Sequence, residues 1–114
     1  MRLEYINDLA KEATAAGLPE LTGTKEEITQ AEYIRAELLD SAGMFLRESW
    51  EQTNRLDDAA VKEHNLQVLH ILGQILTQVR LEPSAVWWID HSCGDGAYLF
   101  RRVYQEQHTK EIRL

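Results

Sequence analysis

The sequence predicts an all-α protein, a small helical bundle of four main helices plus a short aromatic helix, built as one domain over residues 1–114. Three observations carry that expectation. Apolar residues in Val61–Val79 recur at three- and four-residue steps, as on one stripe of a helix. Thr24-Lys25-Glu26-Glu27 spells a capping box, with a hydroxyl at the N-cap and a carboxylate three residues on. Gly17, Pro19 and Pro83 punctuate the chain at helix-length intervals, and no strand with a partner is visible.

The first helix is expected over Leu3–Ala16, with Leu3, Ile6, Leu9, Ala10 and Ala13 on one face and Gly17 as its stop. Leu18 and Leu21 are apolar anchors for the connector that follows. The second helix runs from Lys25 to about Thr53 and turns Ile28, Ala31, Ile34, Leu38, Ala42, Phe45 and Leu46 inward, with Leu39 and Trp50 widening the stripe. Gly43 weakens its middle and marks a bend, a break or a close helix contact. Asp57 or Asp58 caps the third helix, which ends near Arg80 before Leu81-Glu82-Pro83. Its apolar arc is so wide that it is expected at the centre of the bundle, touched on two or more sides. Ser84 caps a short helix, Ala85 to about His91. After a turn at Ser92–Gly96, Ala97, Phe100, Val103, Tyr104 and Gln107 keep helical steps toward the C-terminus; a strand over Ala97–Tyr104 is the rival reading.

Composition narrows the function. Forty-four per cent of residues are apolar and Gly and Pro are few, as in a globular domain. The single cysteine, Cys93, cannot form an intramolecular disulfide and fits a reducing compartment. Acidic residues break up the N-terminal apolar residues, so no leader is expected, and no segment has the length and apolarity of a membrane span. The expectation is a soluble, cytoplasmic protein. The net charge of −7 comes entirely from residues 1–63, which hold fourteen acidic and seven basic groups; residues 64–114 hold five of each. Direct nucleic-acid binding needs a cationic face, so an acidic front half argues against it. An acidic helix face is either solvated surface or the docking face for a basic partner.

No stretch carries a catalytic pattern. Asp90-His91-Ser92-Cys93 offers reactive residue types, but a cysteine nucleophile needs a base placed in space, and no second element supplies one. His64 and His70 are six residues apart and face different ways, and His91 and His108 are isolated, so neither a metal nor any other cofactor is expected. Trp87 and Trp88 point about 100° apart on a helix. Either both are packing anchors, with Asp90 paired to an arginine such as Arg35, or the exposed ring is an interface hot spot. Arg101, Arg102, Lys110 and Arg113 form a small basic end, suited to helix-end solvation or to the acidic half of a second copy in a homodimer.

Two stretches carry a resemblance. Leu21-Thr22-Gly23-Thr24-Lys25, continued by Ala31-Glu32-Tyr33-Ile34-Arg35-Ala36-Glu37, and Ser84-Ala85-Val86-Trp87-Trp88-Ile89-Asp90 resemble segments of a group of small, uncharacterised proteins of phages and other bacterial mobile elements. That group often has Lys-Gln where this chain reads Glu26-Glu27, and Asn-Arg where it reads His91-Ser92. Many members open with a cysteine-rich ribbon, which a plain helix replaces in this chain, so zinc or nucleic-acid roles tied to the ribbon do not carry over. The resemblance covers about a third of the chain and implies a mobile-element setting rather than a reaction.

The expected function is therefore binding without catalysis. Its concrete form is an anti-defence, anti-CRISPR inhibitor that sets an acidic face, Glu32, Glu37, Asp40, Glu48 and Glu51, into the basic nucleic-acid groove of a host effector. Trp50, Trp87, Trp88, Arg101 and Arg102 are the candidate interface anchors. An accessory role in phage or plasmid replication or recombination is the alternative, and a small hydrolase ranks third.

Overall fold

The computed structural model describes residues 3–112. Five helices follow in order: α1 (Leu3–Ala15), α2 (Lys25–Asn54), α3 (Ala59–Val79), α4 (Ala85–Asp90) and α5 (Gly96–Ile112). Among the described residues there is no strand, and no helix is long and apolar enough to cross a membrane. The all-α expectation holds, and the helical reading of Ala97–Tyr104 is the correct one.

Local chemistry sets the helix ends. Gly17 adopts φ +80° after α1. Its N–H donates to the Thr14 carbonyl and the Leu18 N–H to the Ala13 carbonyl, which closes the helix in a Schellman motif. Thr24 Oγ1 accepts from the Glu27 N–H at 3.2 Å while Glu27 Oε1 accepts from the Thr24 N–H at 2.8 Å. Asp58 Oδ1 accepts from Ala60 and Val61 at the start of α3, and Ser84 Oγ from Trp87 at the start of α4. Each such cap is worth about 1 kcal/mol.

Gly43 does not break α2, and nothing lies within 4 Å of where its Cβ would stand. The close helix contact falls one residue earlier, on α2 at Ser41 and Ala42, and its glycine comes from the other helix. A Cβ on Gly96 would lie 2.5 Å from the Ser41 carbonyl carbon and nearer still to the Ala42 backbone. The Gly96 N–H donates to Ser41 Oγ at 2.8 Å.

The expected centre is corrected. α2 touches all four other helices, whereas α3 touches only α2 and α5. Only Ile75 and Val79 of α3 are buried; Val61, Val68 and Ile71 are more than a third exposed. The breadth of an apolar arc gives the area that could be covered, and the path of the chain decides what is. The core instead gathers Ala31, Leu38 and Ala42 of α2, Ala85 and Trp88 of α4, and Leu99, Phe100 and Val103 of α5.

Two connectors lock together across the sequence. Thr22 donates its N–H to the Pro83 carbonyl at 2.7 Å and accepts from the Ala85 N–H at 2.9 Å. Gly23 fits beneath with φ +143°, where a Cβ would stand 3.3 Å from that of Ala85. Leu21 is buried beside this joint, and Leu18 is half-buried.

The two glycines should respond in opposite senses. Gly96→Ala is expected to cost more than about 2 kcal/mol, because backbone rather than a movable side chain occupies the space. Gly43→Ala should be neutral or stabilise by up to about 1 kcal/mol. Urea denaturation of the two variants checks both signs.

Candidate protein-binding surface

Four of the five acidic residues singled out from the sequence share a stripe. At 100° per residue, Glu37, Asp40, Glu48 and Glu51 fall within an arc of about 80° on α2, and Met44 lies between them. All five are exposed. The stripe is about 21 Å long at 1.5 Å per residue, and none of its carboxylates enters an ion pair among the described residues.

Glu32 does not belong to it. Its side chain is buried, and its Oε2 lies 3.0 Å from Nη2 of Arg35, itself buried. Arg35 Nη1 donates to the Pro19 carbonyl at 2.7 Å, so the pair pins the α1–α2 connector onto α2. Arg35 is therefore taken by Glu32 and does not pair with Asp90. The Asp90 backbone carbonyl accepts from Arg102 instead.

The expected anchors scatter over three places. Trp50 is 53% exposed and borders a shallow cleft with Leu66, Leu69 and Gly73. Trp88 is 0% exposed and its Nε1–H donates to the Glu82 carbonyl at 3.0 Å, so it is core and cannot be a surface anchor. Trp87 is half-buried, meets Trp88 edge-on at 5.0 Å and stacks on His91 at 3.8 Å. Arg101 is exposed beside Phe100 and Tyr104. Arg102 Nε donates to Glu106 Oε1 at 3.1 Å. The side chain of Lys110 and all of Arg113 lie outside the described residues.

A joint that the sequence reading missed ties α4 to α5. His91 is 6% exposed; its Nδ1 lies 2.7 Å from the Trp87 carbonyl and its Nε2 2.9 Å from Glu106 Oε1. Both partners are acceptors, and each ring nitrogen faces one of them. With both nitrogens occupied, His91 is not a free base for the exposed thiol of Cys93. The signal available was the fifteen-residue span from His91 to Glu106, which means nothing until the turn at Gly94–Gly96 brings α5 back alongside α4. Among the described residues no group of three or more His, Cys, Asp or Glu side chains could hold a metal ion.

Comparison of the chain with protein-family models, with curated proteins and with solved structures finds no match. What the chain binds has to be argued from its own surface.

Removing Arg35 leaves the buried Glu32 carboxylate unpaired. Arg35→Met is expected to cost about 3–5 kcal/mol, and Glu32→Leu in the same chain should recover most of that loss. A double-mutant cycle by chemical denaturation measures both. His91→Ala should cost about 2 kcal/mol through two lost hydrogen bonds and a lost stack, while Cys93→Ser should stay within about 0.5 kcal/mol of the parent. Thermal melts of the two variants separate the buried joint from the exposed turn.

Proposed function

We propose that the chain acts by binding a protein, with the acidic stripe of α2 as the docking surface. The concrete form is an anti-defence protein of a phage or mobile element that occupies the basic nucleic-acid groove of a host CRISPR effector and performs no chemistry of its own. In this reading the four longer helices and the short aromatic helix form one bundle that backs α2 as a rigid ridge.

The observation that carries the reading is the placement of Glu37, Asp40, Glu48 and Glu51 on one exposed, unpaired stripe. Folding alone leaves such a stripe with two like-charge pairs at three-residue spacing, Glu37–Asp40 and Glu48–Glu51, which mildly weaken a helix. A basic groove reverses the sign of that contribution. Met44 at its centre adds apolar contact to an otherwise electrostatic surface. The mobile-element setting rests on the resemblance of Leu21–Glu37 and Ala85–Asp90.

The test neutralises the stripe. The variant Glu37→Gln, Asp40→Asn, Glu48→Gln, Glu51→Gln should keep its helicity by circular dichroism. It should lose phage protection on a CRISPR-immune host, with affinity for the captured effector down at least about 100-fold and less salt-dependent. Full protection by this variant refutes the stripe. A parent chain that leaves plating on the immune host unchanged refutes the CRISPR form; if it then captures a helicase or primase, the partner is replication machinery.

A further inference from the structure

The distal half of the α2–α3 hairpin is an arm covered by little else. α5 crosses α3 only at the root, and no other helix touches α3 apart from α2. Of the eleven large apolar side chains that stand exposed, six lie on this arm: Met44, Trp50, Leu56, Val61, Val68 and Ile71. The surface of the whole chain reflects it. The chain exposes 8036 Å², whereas a folded monomer of its 13.2 kDa mass exposes about 6,400 Å². Its radius of gyration is 16.0 Å, against about 13 Å for a compact chain of this length. The surplus of about 1,600 Å² exceeds the roughly 800 Å² per partner that a standard interface removes.

One side of the arm is a continuous apolar face. It runs from Leu56 at the tip past Val68 and Phe45 to Leu72, and then into a cleft of about 420 Å³ closed by Phe100 and Tyr104 of α5. Its polar groups in the middle are uncharged: Ser49, Gln52, Thr53 and Asn65. Charge stands only at the two ends. Arg101 borders the cleft at the root, and the turn at the tip carries Asp57 and Asp58 against a single basic group, Arg55. Neither Arg101 nor Asp57 has an ion-pair partner among the described residues.

We propose that a second copy of this chain covers this face, with the two arms antiparallel about a two-fold axis near Asn65. The geometry of one chain contains the match. Val61 and Val68 lie about 6 Å and about 4.5 Å to either side of Asn65 along α3, so the axis sets Val61 against the partner's Val68. Ile71, beside Arg101, and Asp58 both lie about 10 Å from the same point in opposite directions. The axis therefore brings Arg101 to the partner's Asp57. An uncharged centre with opposite charges at its ends suits an identical, reversed surface, whereas a basic groove would find little on this face to neutralise. The acidic stripe sits on another side of α2, so this dimer and the proposed docking surface stand or fall separately.

Native mass spectrometry and sedimentation velocity over a wide range of concentration test the proposal on the full chain. The parent should sediment as a dimer of twice the chain mass. Val68→Glu and Ile71→Lys, both at exposed positions, should give folded monomers with unchanged circular dichroism. Arg101→Glu should raise the dissociation constant at least about tenfold, and Arg101→Glu with Asp57→Lys should bring it back. A parent that is monomeric throughout overturns the proposal, whether or not another protein or a lipid vesicle then binds the arm. A dimer that survives Val68→Glu and Ile71→Lys overturns it as well, and failure of the charge exchange overturns the antiparallel register.

Discussion

The structure depends on how closely α5 can approach α2. At Gly96 the two helices meet backbone to backbone, with no side chain between them. That approach carries Leu99, Phe100 and Val103 into the core. It also fixes where α4 must stop. Each residue of the short turn has its own task. Gly94 takes φ +120°, Asp95 Oδ1 accepts from the Tyr98 N–H as the N-cap of α5, and Gly96 clears room for α2. The Ser41 hydroxyl then accepts from the Gly96 N–H, so one of the unsatisfied donors at the start of α5 is met by the helix it leans on. Small residues serve the same end elsewhere. Ala31, Ala42 and Ala85 are all 0% exposed, and the fully buried Trp88 belongs to the same cluster.

A second constraint holds the ends of the fold in register. Thr22 pairs with the connector before α4 across sixty residues of sequence, through two backbone hydrogen bonds. Leu21, Gly23, Thr24 and Ala85 complete the joint with an apolar anchor, a positive-φ turn, a helix cap and a close methyl contact. These residues belong to the two segments on which the proposed mobile-element setting rests. In this chain those segments build the joint and the core beneath it, and they contribute only Glu37 to the outward acidic stripe. Residues of this kind serve the assembly of the helices. They carry no information about the rest of the stripe or about the arm.

The helix ends were legible because their chemistry is local. A hydroxyl or carboxylate and an amide three residues away suffice to define a cap, so Thr24 and Ser84 could be read directly and the cap of α3 narrowed to Asp57 or Asp58, of which Asp58 serves. Gly17 was legible for the same reason. The central helix was not legible. Val61–Val79 has the broadest apolar arc, but α2 sits at the centre because the chain returns to it three times after leaving it. Glu32 is a different kind of miss. Its angle on the helix places it well off the stripe of Glu37, Asp40, Glu48 and Glu51, and Arg35 stands three residues on, so the information was present. Counting acidic residues along the sequence hid what their angular positions would have separated. The His91–Glu106 contact had no local signature, since it exists only once the Gly94–Gly96 turn folds α5 back.

The two surfaces left after the core is accounted for differ in kind. The stripe is solvated charge, which is soluble in isolation and suits reversible contact whose strength falls with salt. The arm is apolar area held by a hairpin with one face uncovered, and such area is costly to leave in water at about 25 cal/mol per Å². Stability along α3 should therefore be graded. Near Ile75 and Val79 the helix is packed against α2 and α5, while near Val61 it rests on α2 alone. Segments with few buried apolar contacts open locally before the whole domain unfolds. A partner seated on the arm would remove that weak end by mass action, since anything that binds only the closed form stabilises it. The arm thus couples the folding of the hairpin to association, whereas the stripe on α2, backed by α1, α4 and α5 along its first half, keeps its shape without help.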